Sequence, residues 1–353
     1  MWIACSLRLL RYRARKLSAT DSRHILGLDV IAFDSTLGTY PMASFRLRLL
    51  AGWGVALLFF VAAWMVAEDG ASSPRAEDEK APTVVPKAAE ANYIRVTHDV
   101  AGNPQALETS IVHLVPANLD HPGLSVDLIS AVHVGDKGYY QKLDKRFDDY
   151  DVVLYELVAK EGTVIPKGGG DPNRNPLSSI QNAMKDLLEL EYQLSGIDYT
   201  KKNFVHADLT PAEFAQSMKD KGESFWTIFF RLMAAGMARE ANNPGKGGDF
   251  DILLALFEKD RAIKLKRVMA DQFADMDMIT AAFNGPEGST LITERNKAAL
   301  AVLGKQIDAG RKKIAIFYGG GHMPDMESRA IADYHLKRAS QEWLEAWNLR
   351  DKK

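Results

Sequence analysis

Four apolar stretches of the chain end in residues able to do acid–base or metal chemistry. His133 follows Leu128-Ile129-Ser130-Ala131-Val132, and Glu156 follows Val152-Val153-Leu154-Tyr155. His206 and Asp208 follow Asn203-Phe204-Val205, and His322 follows Phe317-Tyr318 and three glycines. Two imidazoles and a carboxylate suit Mn2+, Co2+, Zn2+ or Fe2+, and open coordination positions would hold water. Such a metal lowers the pKa of its water and polarises a carbonyl, so hydrolysis is the natural reaction class. His133, Glu156 and His322 are therefore the candidate metal ligands. Arg295 is placed to orient a substrate carboxylate or stabilise an oxyanion, and Asp208 or His206 to act as the base.

Each of these residues also has a plainer reading. A lone histidine at a strand end is more often a satisfied core or loop residue, and His206 or Asp208 can simply shape the turn before Thr210. Glu156 lies in an apolar run, where an unpaired carboxylate is costly, so it requires a cation: a metal or Arg295. Gly319-Gly320-Gly321 allows close backbone approach or positive φ, at a conformational entropy cost that an ordinary loop avoids. A helix starting just beyond would turn its positive end toward His322 and keep the imidazole neutral, the form that binds metal.

In open α/β sheets, ligands bind outside the carboxyl ends of the strands, so these residues call for strands that finish at one edge. The spacing predicts a hairpin of Tyr93–Val100 and Thr109–Val115 around Gly102-Asn103-Pro104, then a third strand at Leu124–Ile129. Asp136 can cap a helix running to about Phe147, and Asp151–Tyr155 reads as a strand buried on both faces. Strand, helix, strand implies a right-handed parallel crossover. Helices are expected over Ser178–Leu194, from Thr210-Pro211-Ala212-Glu213 with a capping box, over Ile252–Phe273, over Glu294–Ala309, and from about Asp325. Asn203–Val205 and Lys313–Tyr318 read as strands. The expected fold class is α/β: a central mixed β-sheet with flanking helices and a helical insertion.

Ahead of this domain the sequence has a different character. Residues 49–67 read LLAGWGVALLFFVAAWMVA, uncharged, with Arg46 and Arg48 before them and Glu68 and Asp69 after. A spanning helix needs ~20 apolar residues, so this is a transmembrane anchor or a signal h-region, with cleavage open at Val66, Ala67 and Ala71. The charge asymmetry places the bulk of the chain outside the cytoplasm, anchored, or secreted or periplasmic if the segment is removed. Residues 1–48 are a basic tail; translation starting at Met42 and a genuine cytoplasmic tail both fit it. Residues 68–92 are rich in Glu, Lys, Ala and Pro and read as a disordered linker. The domain proper spans 93–353.

A net charge of −2 over 353 residues argues against nucleic acid as a partner. Cys5 is the single cysteine, which excludes a disulfide framework and thiolate zinc sites. HExxH, GxSxG, P-loop and GxGxxG patterns are missing from the sequence. Lys167–Asn173 can be a lid or a surface loop. Phe225, Trp226, Phe229, Phe230 and Met233 can pack a core or line a substrate groove.

Taken in order, Ser130-Ala131-Val132-His133, Glu156, Glu294-Arg295-Asn296 and Gly319-Gly320-Gly321-His322 resemble the TraB/TIKI family, related to GumN-like and pheromone-shutdown proteins. That family carries two G-x-x-H motifs, a glutamate after an apolar strand, and an E-R-N segment. The resemblance covers about Val126 to Met326. It implies a metal-dependent, peptidase-like hydrolase acting on a peptide or protein, with His133, Glu156 and His322 near the metal and Arg295 in the pocket. It also implies a fold similar to erythromycin-esterase-like and ChaN-like proteins. Ser130 replaces the first glycine, adding a side chain beside the metal site. Two rival readings stand: a metal- or haem-binding module without turnover, and a membrane-tethered interaction domain whose site has decayed.

Overall fold

The computed structural model describes residues 92–168, 188–224, 227–228, 231, 260–274 and 288–351. The basic tail, the apolar run at 49–67 and the linker up to residue 91 lie outside these residues. So do 169–173 of the expected lid, 178–187 and 252–259 of two expected helices, and the side chains of the aromatic group at 225–233.

β1 (Ile94–His98) and β2 (Pro104–Pro116) form the expected hairpin. Gly102 takes φ +86° in its turn, where a Cβ would be strained. Asp99 closes the loop by accepting from the Ala101 and Asn103 amides at 2.9 and 2.8 Å. β3 (Ser125–Ala131) runs antiparallel to β2. β4 (Val134–Gly135) and β6 (Glu191–Tyr192) make a separate two-stranded ribbon. β5 (Val152–Tyr155), β7 (Phe204–His206) and β8 (Lys313–Gly319) complete the parallel half of the main sheet. β8 sits between β3 and β5, with β7 beyond β5. β3 and β5 are thus parallel but not neighbours, because the late strand β8 fills the place between them.

Helices cover both faces of the central strands of this half, which is why β5 and β8 read as nearly continuous apolar runs. Adjacent strand residues point to opposite faces. Ile129, Val153 and Phe317 pack with Tyr139, Tyr140 and Leu143 of α1 (Lys137–Arg146). On the other face Leu128, Leu154 and Ile316 meet α4 (Arg295–Asp308) and α5 (Met323–Tyr334) through Leu300, Leu303, Met323 and Met326. Each such buried aliphatic side chain stabilises the fold by ~1.5–3 kcal/mol. α2 (Pro211–Asp220) and α3 (Arg261–Ala274) follow β7, and the described residues between β7 and β8 contain no strand. This is a mixed α/β fold with a central mixed sheet and flanking helices.

Local expectations hold where the signal is short-range. Thr210 and Glu213 form the full capping box of α2, with Pro211 in its first turn. Asp136 does occupy the N-cap of α1, but its side chain makes no cap bond. It accepts from Lys266 Nζ at 2.9 Å and from the Asn348 amide at 2.5 Å, tying α1 to α3 and to the end of the chain.

Two elements depart from expectation. The helix expected over Ser178–Leu194 does not continue through its last residues. Glu189 is left-handed at φ 55°, Glu191–Tyr192 pair with β4, and a new turn forms at Gln193–Gly196. After α5, His335 takes φ 51° and the chain enters β9 (Leu336–Asn348), thirteen residues paired antiparallel with β2. Its Lys, Gln, Glu, Leu and Ala content favours helix. The unpaired edge of β2, eleven residues of it in register with β9, overrides that propensity.

Candidate metal centre

Parallel pairing brings the ends of β3, β8, β5 and β7 to one edge of the sheet. Ala131 pairs with Gly319, Tyr155 with Phe317, and Tyr155 with His206. Backbone bonds extend this alignment past the strands: the Glu156 amide donates to Phe317 O at 3.3 Å, and the Ala207 amide to Tyr155 O at 3.2 Å. The loop carrying His133 is pinned from below. Tyr140 Oη donates to Val132 O at 2.8 Å, the Gln193 amide to His133 O at 2.9 Å, and Trp347 Nε1 to Val134 O at 2.7 Å. His133 itself is exposed.

Glu156 finds the cation it requires in Arg295. Arg295 Nη2 donates to Glu156 Oε1 at 2.8 Å and to Asp208 Oδ2 at 2.5 Å, while Nε reaches Asp208 Oδ1 at 2.9 Å. The other Glu156 oxygen accepts from the Gly319 amide at 2.7 Å. Burial alone would raise the Glu156 carboxyl, but Arg295 and the Gly319 amide hold it well below the usual range. The Asp208 side chain is 0% exposed and those of Glu156 and Arg295 10% each. Two buried carboxylates share one guanidinium, leaving one negative charge over.

Arg295 reaches this position through an unusual helix start. Residues Thr290–Glu294 form a π turn directly before α4, with Ser289 Oγ accepting from the Ile292 amide at 3.2 Å. Single π turns recur at functional sites because they re-aim the side chains that follow. Here those are Arg295 and Asn296, both buried. Asn296 contacts His322 twice: Oδ1 lies 2.7 Å from the ring Nδ1, and Nδ2 donates to the backbone oxygen at 3.0 Å.

His322 sits at the N-terminal end of α5, after a short 3-10 turn formed by the glycines. None of Gly319, Gly320 and Gly321 has positive φ, and the close approach a glycine permits is found at Gly320. A Cβ on Gly320 would stand 2.6 Å from Ile94 Cδ1 and 2.9 Å from Ser130 Oγ. Burial depresses the His322 imidazole to about 4, despite the pull of Glu156 in the other direction. The ring is neutral at physiological pH, and Nε2 lies 3.6 Å from Glu156 Oε1.

The three predicted ligands meet around the space that Gly319 leaves open. A Cβ there would lie 3.4 Å from Glu156 Oε2, 3.9 Å from His133 Nε2 and 3.9 Å from His322 Cδ2. As they stand, no three His, Cys, Asp or Glu side chains among the described residues are close enough to hold a metal ion. The chemistry of the set nevertheless fits one: two imidazole nitrogens, a carboxylate, surplus negative charge, and a cradle lacking a side chain. Nitrogen and oxygen ligands ~2.1 Å from a tetrahedral ion lie roughly 3.4 Å apart, close to the spacing of His322 Nε2 and Glu156 Oε1.

The remaining predicted site residues are placed differently from one another. Asp208 has both oxygens engaged, with Oδ1 also accepting from the Leu209 amide at 2.8 Å. Its position is that of a clamp on Arg295. His206 is half-buried, with Nε2 2.6 Å from Leu157 O and its ring edge against Tyr155. Ser130 is fully buried and its Oγ has no partner among the described residues. That hydroxyl lies behind Gly320, and is not among the atoms nearest the open side of Gly319.

Sequence reasoning assigned no role to Asp325 or the Gly319 amide, and none to Asn296 beyond its place in the Glu294-Arg295-Asn296 motif. Comparison of the chain with protein-family models, with curated proteins and with solved structures finds no match. Among the described residues no helix is long and apolar enough to cross a membrane.

Proposed function

We propose that this chain is a divalent-metal-dependent hydrolase of peptide-like acyl bonds, tethered to a membrane by residues 49–67 with its α/β domain outside the cytoplasm. The observation that carries the reading is the convergence of His133 Nε2, Glu156 and His322 on the side-chain-free space at Gly319. The order of the short motifs, similar to that of the TraB/TIKI family, supports the same ligand set.

His133, Glu156 and His322 would hold the ion, with Mn2+, Co2+ and Zn2+ as the candidates. When bound, a divalent ion there supplies Lewis acidity toward a carbonyl and acidifies a water molecule. The chain's own groups prepare that site. Arg295 keeps Glu156 ionised and fixed through Oε1, and the Gly319 amide fixes Oε2. Asp208 holds the guanidinium in place from a fully buried position, so it orients rather than accepts protons. His206 is assigned the role of proton acceptor: its Nε2 lies 2.6 Å from the Leu157 oxygen, which can only accept, so Nδ1 is left as the basic nitrogen. Arg295 has Nε and Nη2 committed to carboxylates, so its contribution to an oxyanion is the electrostatic field of a buried cation.

The test uses the full-length chain in detergent, loaded in turn with Mn2+, Co2+ and Zn2+ and incubated with a mixed peptide library read by mass spectrometry. Cleavage that a chelator abolishes, and that is lost in Glu156→Gln, is the expected result. A wild-type chain that cleaves no peptide with any of the three metals contradicts the reading.

A further inference from the structure

We infer that Asn296 is a positioning residue for this site: it fixes the His322 ring proton on Nδ1 and thereby turns the Nε2 lone pair toward Glu156. The consequence for metal binding rests on the reading above, whereas the tautomer follows from the hydrogen bonds alone.

Asn296 is 0% exposed. Its Nδ2 donates to His322 O at 3.0 Å and to Asp325 Oδ2 at 2.8 Å. Both partners are acceptors only, so exchanging the amide oxygen and nitrogen would set oxygen against oxygen twice. Oδ1 must therefore face the imidazole, where it lies 2.7 Å from Nδ1. A carbonyl oxygen can only accept, so Nδ1 carries the proton. In a neutral imidazole the other nitrogen is then a bare acceptor, and Nε2 confronts Glu156 Oε1 across 3.6 Å. Two acceptors facing each other at that distance favour a cation between them.

The amide is held from behind as well. Asp325 Oδ2 also accepts from Arg329 Nε at 2.8 Å, one turn along α5. Arg329, Asp325, Asn296 and His322 thus form one chain of donors and acceptors in which each orientation determines the next. Outer partners of this kind fix the tautomer of a metal-binding histidine, and losing them weakens metal affinity ~10–100-fold. A side chain that merely tied α4 to α5 would have no such effect on the ring proton.

The experiment reads the tautomer directly. Full-length chain carrying 15N-histidine, stripped of metal by a chelator and held above pH 7, is examined by long-range 15N–1H correlation, with His322→Gln identifying the His322 signals. Wild type is expected to show Nδ1–H. Asn296→Leu, which removes the acceptor at similar volume, should move the proton to Nε2 and weaken Co2+ binding ~10–100-fold. Asn296→Ala removes the same acceptor without added bulk and should give the same Nε2–H tautomer, so it carries the test if the leucine variant fails to fold. An Nε2–H tautomer in wild type, or Nδ1–H persisting in the leucine or alanine variant, overturns the inference. The predicted tautomer pattern with no Co2+ bound by wild type would support the positioning role and overturn the metal reading.

Discussion

Glu156, Asp208, Arg295 and His322 form one electrostatic unit, and its response to pH follows from the two shifted groups. Burial lowers His322 from 6.5 to about 4, so between those values the unfolded chain binds a proton that the folded chain refuses. Stability from this group is complete above about pH 6.5 and is lost as pH falls toward 4, at most ~1.4 kcal/mol per pH unit. The Glu156 carboxyl is also depressed, so its contribution is present above the unfolded value of about 4.3 and declines at lower pH. The two losses run in the same direction, one beginning where the other ends. Urea denaturation of the metal-free chain between pH 7.5 and 4.5 should therefore show stability falling with acidity, and falling less steeply in His322→Gln. Equal slopes in the two proteins would mean that His322 is not held neutral by the fold. The same residues show how much of the site could be read in advance. Glu156 advertised its need for a cation because an apolar run surrounds it, and its position after the strand is a local fact. Asp208 gave no such signal, since the bond that makes it a clamp comes from Arg295, 87 residues away.

The glycine turn between β8 and α5 belongs to the scale of elements, and its glycines have distinct tasks. Gly320 is where β1, β3 and the turn come together, with Ile94 and Ser130 already occupying the space of a Cβ. Gly320→Ala should cost about 1–3 kcal/mol by overpacking. Removing the Ile94 Cδ1 in Ile94→Val should recover part of that loss in the double variant, as thermal melts of the four proteins would register. Fully additive effects would place the clash elsewhere. Strands β5 and β8 were legible because burial on both faces writes itself into the sequence as nearly unbroken apolar runs, whereas β3 carries Asp127 and Ser130 and β7 is a short, half-buried edge strand. β9 was not legible, because its helix-favouring residues are fixed as a strand only by the edge of β2. The helix expected through Leu194 failed for a related reason: periodicity in Leu187, Leu188 and Leu194 persists where the left-handed Glu189 has already broken the backbone.

At the scale of the whole molecule, the sheet accounts for the site. A parallel half buried between α1 on one face and α4 and α5 on the other presents four strand ends at a single edge. The antiparallel half, from β1 to β3 with β9, braces that edge through Ile94 under Gly320 and Trp347 under the His133 loop. The order of strands was not recoverable from local pattern, because β8 returns from the far end of the chain to lie between β3 and β5. The convergence of His133, Glu156 and His322 was nonetheless foreseeable, since each follows a strand whose direction the sheet fixes. The central claim is that they share one ion at Gly319. Its most direct test is the metal content of the full-length chain, purified in detergent after equilibration with Mn2+, Co2+ or Zn2+, for wild type, His322→Ala and Gly319→Ala. Gly319 has φ −55° and ψ 143°, and an added Cβ would meet neighbours no closer than 3.4 Å, so the alanine variant should fold while filling the cradle. One ion per wild-type chain, lost in both variants without loss of the folded state, is the predicted result; equal metal content in all three proteins would contradict it.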